Sequence, residues 1–349
     1  MRFGSVFSRM RFAVCVSLIV LTVCAPAFAW NDEGHMAAAY LAYQRLHPAI
    51  RNRVDSLLKL NPYYSKWLAA LPPGTSEADA KMMIFMIAAT WPDQIRSDPA
   101  YASDGLDNGN TPEGPASSQN IGYADHLLHK YWHFIDIPYS QDGTPLPPIP
   151  APNAKTQIGA FRAALSSTAS DNVKSYDLSW LEHLVGDIHQ PLHAVTQVSA
   201  DAPMGDAGGN LVTLCSAPCR NVLHLFWDRL VGSQDPLPPP PPDDHSAGAA
   251  QTPPAFPPPD IPAELKSAIS AAKALPAAPA TLANKMDESI WVQESFNAAK
   301  AHVYVPPIGS GLGPFTITQS YLEQARAIAR ERVALAGVRL ANLLNANLK

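Results

Sequence analysis

The sequence lacks long apolar runs, apart from one near the beginning of the chain. This run covers 12–23, and the small-residue sequence Ala-Phe-Ala follows it at 27–29. The basic residues that precede the run are Arg2, Arg9 and Arg11. An apolar core this short does not span a bilayer stably, and the three features together are typical of a secretory signal peptide at 1–29. We therefore expect an exported protein, periplasmic or secreted, that begins at Trp30 and has no integral membrane association.

Cysteine is scarce, with four in 349 residues, two of which lie in the predicted signal peptide. The remaining pair, Cys215 and Cys219, excludes a fold that depends on a disulfide framework. In an oxidising compartment these two are expected to form a local disulfide. Their spacing is not C-x-x-C, which argues against a thioredoxin-like role, and two thiols alone make a poor zinc site.

Positive charge is also in deficit, since 25 Lys and Arg stand against 30 Asp and Glu, for a net charge of −5. Loss of the three signal-peptide arginines would bring the net charge to −8. Such a chain lacks the broad basic surface of a protein that binds duplex DNA. A negative net charge is still compatible with an enzyme that binds a single phosphate through metal ions, because the ions bring their own positive charge.

Strand patterns are few and short, whereas apolar residues at helical spacing recur along the chain. The predicted helices are 33–46, 51–60, 79–89, 155–167, 179–189, 223–231, 263–275, 283–301 and 319–347. This pattern predicts an all-α, mostly helical fold, with one domain over 30–349. The stretch 236–262 holds 12 of the 35 prolines, and such a stretch cannot join a helical core. We predict a flexible, solvated insertion there; a docking segment for a proline-binding partner is the alternative.

What the sequence does contain is a dense group of histidine and aspartate residues at 183–193. His183 and Asp187 are four residues apart, so on a helix they project from one face and could reach one metal ion. His193 follows Pro191, beyond the expected end of that helix, and can therefore point elsewhere. His224 and Asp228 repeat the four-residue spacing.

Eight side chains in all combine metal-binding chemistry with apolar surroundings. They are His35, Asp93, His133, His183, Asp187, His193, His224 and Asp228. A lone histidine in an apolar segment is usually a hydrogen-bonded core residue, and an isolated aspartate is often a helix cap. Together, however, these residues would bury costly charge unless a metal compensated it. Eight ligands are too many for one ion and about right for three.

These motifs, in this order, resemble the S1/P1 nuclease family of single-strand-specific three-zinc nucleases, which is related in fold to zinc-dependent phospholipase C. The matching segments are 30–35, 90–93 with Arg96, 132–136, 183–193, 208–210, 223–228, 291–295 and 336–341. They run across nearly the whole mature chain. The resemblance implies a helical bundle of the phospholipase C and S1/P1 nuclease type.

The resemblance also implies three zinc ions per chain. The first would be held by Asp93, His133, His183 and Asp187. The second would be held by His193, His224 and Asp228. The third would be held by His35, Asp187 and the free α-amino group and carbonyl oxygen of Trp30. His189 is not a ligand in the family, and we expect it to pack in the core or to support a ligand.

In the mechanism that the resemblance implies, a metal-bridged hydroxide attacks phosphorus. Asp93 would orient this nucleophile, and Arg96 would stabilise charge in the transition state; alternatively, Arg96 is an ordinary surface residue. Asn210 and Asp136 would bind the nucleobase by hydrogen bonds. Tyr123 and Phe134 are the candidates for a stacking platform beneath that base.

The expected activity is hydrolysis of phosphodiester bonds in single-stranded RNA and DNA to 5′-phosphorylated products, with 3′-nucleotidase activity as well. The enzyme would act as a monomer. One alternative is a phosphodiesterase that resembles zinc-dependent phospholipase C and acts on lipid headgroups. A non-catalytic zinc-binding protein, with the proline-rich stretch as its interaction segment, is the alternative of another class.

Overall fold

The computed structural model describes residues 30–106, 111–216, 221–238 and 260–349. The predicted signal peptide, Cys219 and most of the proline-rich insertion therefore lie outside the described residues. The described chain is mostly helical with few strands, as the sequence predicts. None of the helices in these ranges is long and apolar enough to cross a membrane.

The elements within the described ranges follow in chain order. The helices are α1 (Asp32–Tyr43), α2 (Pro48–Leu58), α3 (Tyr64–Ala69), α4 (Glu77–Ala88), α5 (Trp91–Gln94), α6 (Ala154–Leu165), α7 (Asp171–Asp187), α8 (Leu223–Asp228), α9 (Ile261–Lys273), α10 (Ala280–Ala283), α11 (Glu288–Ala298) and α12 (Gln319–Asn347). The strands are β1 (Gly105–Leu106), β2 (Thr111–Pro112), β3 (Pro138–Ser140) and β4 (Thr196–Val198). β1 and β2 pair antiparallel, and β3 pairs in parallel with β4, with Tyr139 opposite Gln197.

Helix α7 begins at Asp171, eight residues before the predicted start at Ser179. The Ser170 side chain caps it by accepting a hydrogen bond from the Val173 amide. Every residue from 174 to 187 is buried, and several of the polar ones have hydrogen-bond partners in the interior. The Ser175 hydroxyl, for example, donates to the Leu57 carbonyl at 2.6 Å. A helix that is buried all round has no polar face, so apolar periodicity could not locate its first turns.

Other helix boundaries also differ from the prediction. The predicted helix at 283–301 is divided, because Asp287 caps a new helix, α11, and α10 ends at Ala283. Helix α3 was not predicted at all, since its six residues are too short for a periodic signal. Pro262, placed by the sequence in the insertion, instead lies in the first turn of α9, where proline is tolerated.

Two buried apolar clusters fill the interior. The first includes Leu184 of α7 and Ile188, which directly follows this helix. The second includes Trp30 and the α8 residues Phe226 and Trp227. The elements that carry the histidine and aspartate candidates thus belong to both clusters. Buried packing on both sides fixes these elements, which is what a preorganised site requires.

Candidate metal centre

Helix α7 brings His183 and Asp187 together on one face, as their spacing predicts. His183 Nε2 lies 3.2 Å from Asp187 Oδ2, and both side chains are fully buried. The helix ends at Asp187, and a 3₁₀ turn at Pro191–Ala194 then redirects the chain. His193 lies in that turn, and its ring contacts the His133 carbonyl and His224.

His35 reaches Asp187 from α1. Its Nε2 lies 3.2 Å from Asp187 Oδ1, and its ring stacks on that of His183 with centroids 4.0 Å apart. Gly186 makes this approach possible, because a Cβ there would lie 2.7 Å from His35 Nδ1. The Asn31 side chain caps α1 by accepting from the Gly34 amide at 3.0 Å, which fixes the turn that carries His35.

His133 and Asp93 complete this part of the site. His133 Nδ1 lies 2.9 Å from His183 Nε2 and 3.1 Å from Asp187 Oδ2. Asp93 projects from α5, with Oδ1 3.9 Å from His133 Nδ1 and Oδ2 3.8 Å from His183 Nε2. Five predicted ligands, counting His35, therefore surround one small volume. In this volume two overlapping sets of ligand atoms are close enough to hold a metal ion: His35, Asp93 and His183, and His133, His183 and Asp187.

A second group forms where the 3₁₀ turn meets α8. His193 Nε2 lies 3.1 Å from His224 Nε2, and His224 Nε2 lies 3.6 Å from Asp228 Oδ2. These three residues form a further set whose ligand atoms are close enough to hold a metal ion. It has the same members as the second zinc site that the sequence resemblance implies.

Backbone carbonyls orient three of the histidine rings. His183 Nδ1 lies 2.8 Å from the Ala89 carbonyl. His193 Nδ1 lies 2.7 Å from the His133 carbonyl, and His224 Nδ1 lies 2.7 Å from the Gly208 carbonyl. A carbonyl can only accept, so each Nδ1 must carry the proton. In a neutral ring Nε2 is then left with its lone pair, which is the arrangement of a metal-ligating histidine.

This arrangement places lone pairs against each other unless a cation lies between them. Burial lowers the pKa of His193 well below its usual value, so its ring is neutral. The Nε2 atoms of His193 and His224 lie 3.1 Å apart. If both rings are neutral and carry their proton on Nδ1, the lone pairs of these two Nε2 atoms face each other. A shared metal ion turns this repulsion into ligation.

The buried carboxylates also need a positive partner. Burial raises the pKa of Asp187 to about 7 and that of Asp228 well above its usual range. Among the described residues, Asp228 Oδ2 is buried without a hydrogen-bond partner, and so are Asp187 Oδ1 and His35 Nε2, which lie 3.2 Å apart but make no hydrogen bond. Unsatisfied buried acceptors are costly, and metal ligation would satisfy all three. The residues present therefore fit a metal centre.

Trp30 lies beside this centre. Its side chain is fully buried, and its indole Nε1 donates to the Gly186 carbonyl at 3.0 Å. The next residue, Asn31, donates its amide to the Asp228 carbonyl at 3.0 Å. The chain at position 30 is thus held between α7, next to Asp187, and α8, at Asp228.

Arg96, predicted to act with Asp93, is mostly buried rather than an ordinary surface residue. Its Nε lies 3.1 Å from Asp93 Oδ1, and its side chain is 11% exposed. Asp93 is itself the most exposed of the predicted ligands, at 7%.

The predicted base-binding residues lie on loops that adjoin the second group. Asn210 lies two residues after Gly208, whose carbonyl contacts His224. The side-chain amide of Asn210 donates to the Ala207 carbonyl at 2.8 Å. Asp136 lies three residues after His133, and burial, together with the charge of Asp206, raises its pKa to about 7. Tyr123 is unsuitable as a stacking platform, because it is buried and its hydroxyl hydrogen-bonds Ser175 at 2.9 Å.

Two supporting residues, Gln190 and His129, were not singled out in the sequence, whereas His189 was. Gln190 donates from Nε2 to Asp228 Oδ1 at 2.9 Å, and it thereby joins the two halves of the site. His189, expected in the core or behind a ligand, contacts Arg339 through Nε2 at 2.9 Å. His129 is a further buried histidine, held 2.7 Å from Asp125 and stacked on Trp132. For Gln190 and His129 the sequence offered only their position beside the recognised motifs.

Comparison with known proteins gives a family match over the whole described chain. The family model S1/P1 Nuclease matches residues 30–349. Similar curated proteins include Endonuclease 2 of Arabidopsis thaliana, which is 26% identical over 199 residues, covering 57% of this chain and 54% of the relative. Endonuclease 1 of the same plant is 24% identical over 235 residues, covering 64% of this chain and 60% of the relative. The chain thus spans between half and two thirds of the length of these two relatives.

Proposed function

Since the chain belongs to the S1/P1 nuclease family, we propose that it is an exported zinc-dependent endonuclease. It hydrolyses phosphodiester bonds of single-stranded RNA and DNA to 5′-phosphorylated products, and it has 3′-nucleotidase activity as well. The observation that carries this proposal is the facing pair His193 and His224, whose ring nitrogens approach to 3.1 Å beside the buried carboxylate of Asp228. Such a group is stable when it ligates a cation.

Three zinc ions account for the ligand atoms. Imidazole nitrogen and carboxylate oxygen are typical zinc ligands, and the absence of thiolate ligands is common in catalytic sites. Asp93, His133, His183 and Asp187 would hold the first ion. His193, His224 and Asp228 would hold the second. His35, Asp187 and the Trp30 main chain would hold the third.

When bound, zinc supplies a nucleophile by lowering the pKa of water, and it neutralises phosphate charge. The chain's own residues position the reaction. Asp93, the most exposed of these ligands, orients the attacking water. Arg96, which Asp93 holds at 3.1 Å, stabilises charge on the phosphate oxygens in the transition state.

Asn210 and Asp136 bind the base of the nucleotide. An amide both donates and accepts hydrogen bonds, and a carboxyl with a pKa near 7 can do either at neutral pH. Both suit the edge of an unpaired base. A base must leave its stack to enter such a site, which favours single strands over duplexes.

Export and processing are part of the same proposal. Cleavage before Trp30 would convert its amide to a free α-amino group, which can then ligate the third ion. The family match, which begins at residue 30, supports this position for the new terminus. We further propose that 30–349 is one domain, that the enzyme is a monomer, and that Cys215 pairs with Cys219.

A side-by-side assay tests the proposed activity. The mature protein is incubated with single-stranded RNA, single-stranded DNA, duplex DNA and phosphatidylcholine vesicles. We expect the two single strands to be cut to 5′-phosphorylated products, with loss of activity on chelation and recovery on addition of zinc. Asp93→Asn should lower the rate by at least about 100-fold. Release of phosphocholine without cleavage of RNA would instead indicate a phospholipase.

A further inference from the structure

A basic groove of about 760 Å³ lies between α9, α12 and the segment 229–234. Four cationic side chains line it: Arg229, Lys266, Arg326 and Arg330. Its lining also includes the polar residues Ser267 and Ser270, and it contains no carboxylate. In a chain of net charge −5, with 25 Lys and Arg in all, this is a marked local excess of positive charge.

None of these four side chains has a carboxylate within 4.0 Å among the described residues, whereas several other arginines are ion-paired. Arg162 pairs with Glu288 at 2.9 Å, and Arg339 pairs with Glu294 at 2.8 Å. In the groove, Arg330 donates only to the Ala274 carbonyl, which carries no net charge. Positive charge there is therefore left for an external anion to neutralise.

The spacing on α12 adds to this argument. Arg326 and Arg330 are four residues apart, so their side chains lie on one face of the helix, and like charges at this spacing repel. Both are exposed. An anion between them would remove the repulsion, and guanidinium groups bind phosphate oxygens in a bidentate manner.

The groove adjoins the metal centre through α1 and α8. Arg229 directly follows the predicted ligand Asp228 at the end of α8. Glu33, two residues before His35, accepts hydrogen bonds from the Ser233 hydroxyl at 2.6 Å and the Ser267 hydroxyl at 2.7 Å. This carboxylate therefore ties the wall of the groove to the helix turn that carries His35.

We propose that this groove is a second substrate site, which binds the phosphodiester backbone of a single strand whose scissile bond lies at the metal centre. The proposal rests on the proposed nuclease function. The four cations would contact successive phosphates, and the apolar wall at Val231 and Leu275 would contact sugars and bases. Affinity for long strands would then exceed affinity for a dinucleotide.

A paired-variant experiment tests this site. The double variant Arg326→Ala/Arg330→Ala is compared with Lys59→Ala/Lys285→Ala, which removes the same charge from exposed positions outside the groove. Zinc-loaded protein is titrated with a non-hydrolysable phosphorothioate strand of about 20 nucleotides at several salt concentrations. The ratio of kcat/KM for a hydrolysable strand of the same length to that for a dinucleotide is also measured.

We expect the groove variant to bind the strand about tenfold more weakly and to lower the kcat/KM ratio by a similar factor. The slope of log K against log salt should fall by about 1.4, since each phosphate contact on a single strand contributes about 0.7. The control variant should change the affinity for the strand and the kcat/KM ratio by no more than about twofold each.

Three other results would overturn the proposal. If wild-type protein cuts single strands but both double variants behave alike, the groove is not a substrate site and the nuclease function stands. If the groove variant loses binding to phosphatidylserine vesicles while its strand binding is unchanged, the groove is a membrane site. If wild-type protein cuts no nucleic acid, the proposed function fails, and this site fails with it.

Discussion

At the scale of single residues, Asp187 is the centre of the site. One oxygen lies 3.2 Å from His35, and the other lies 3.1 Å from His133 and 3.2 Å from His183. A single carboxylate therefore joins three histidines from three separate segments of the chain. Its burial as a charged carboxylate would be unfavourable without cations, and in the proposed function it would contact two metal ions.

Asp187→Asn should therefore disturb two metal sites at once. An amide cannot bridge two cations as a carboxylate does, so we expect the bound zinc to fall from three per chain to about one. Single-strand cleavage should fall at least about 100-fold. The measurement is metal analysis by mass spectrometry after gel filtration, alongside the rate on single-stranded RNA.

Asp177→Asn is the matched control for this change. Asp177 lies on the same helix and is equally buried, but its carboxyl contacts Asn120 at 3.1 Å rather than the metal centre. Burial raises its pKa to about 8, so it is largely uncharged at neutral pH and an amide is a close substitute. Full zinc content in both variants would contradict the bridging role of Asp187.

The candidate ligands could be selected from the sequence, but the residues that hold them in place could not. All eight side chains could be selected because histidine and aspartate are costly in apolar segments unless they bind something. Gln190 could not be selected, because a glutamine does not stand out in a sequence and its partner Asp228 lies 38 residues away. The sequence likewise does not show which ring nitrogen of each histidine is free to bind a metal ion. That depends on backbone carbonyls that reach the other nitrogen only in the folded chain.

At the scale of elements, the end of α7 is anchored by a buried polar network on α11 and α12. Arg332 donates to the His189 carbonyl at 3.1 Å and to the Ser295 hydroxyl at 2.6 Å. Ser295 in turn donates to the Ile188 carbonyl at 2.5 Å. The contacts fix the turn directly after Asp187, so α11 and α12 support the metal centre without contributing ligands.

The stability of this network should depend on pH through Glu294. Burial alone would raise the pKa of Glu294, but hydrogen bonds and charge from Arg339 and Arg332 outweigh it, and the pKa is lowered. A lowered folded-state pKa stabilises the protein above the unfolded-state value of about 4.3, and the contribution is lost as pH falls through the folded-state value.

Glu294→Gln should accordingly lower the Tm by roughly 3 °C at pH 7 and by less at pH 4. Thermal unfolding followed by circular dichroism at both pH values measures the difference. Glu323→Gln, at an exposed position on α12, is the control and should leave the Tm unchanged at either pH. An equal loss at both pH values in Glu294→Gln would show that its charge does not stabilise the network.

Element boundaries were less predictable than element type. Helix class followed from apolar spacing for most segments, because one face of each helix is buried and the other is not. Helix α7 is the exception, since its polar residues are buried along with the apolar ones from 174 to 187. The cap at Ser170 is a local signal for its start, but serine precedes many segments that are not helical.

At the scale of the whole molecule, export and metal binding are coupled in this proposal. The third ion needs the free α-amino group of Trp30, which exists only after the signal peptide is removed. The buried position of Trp30 against Gly186 leaves the main chain next to Asp187. Unprocessed protein in the cytoplasm would then be incompletely loaded and largely inactive.

A version of the protein that retains Ala29 ahead of Trp30 tests this coupling. Its nitrogen at position 30 is an amide, which cannot ligate zinc as an amine does, so we expect one zinc fewer per chain and most of the activity lost. The control begins at Trp30 and is expressed and purified in the same way. Equal zinc content and equal activity in the two proteins would remove Trp30 from the ligand set.

Anomalous diffraction at the zinc edge, from crystals of the mature protein, tests the proposed metal centre most directly. We expect three peaks: one among Asp93, His133, His183 and Asp187, one among His193, His224 and Asp228, and one between His35, Asp187 and the Trp30 main chain. Asp187 should contact two of them. Crystals of fully active protein that show no peak within ligand distance of these residues would contradict the proposed site.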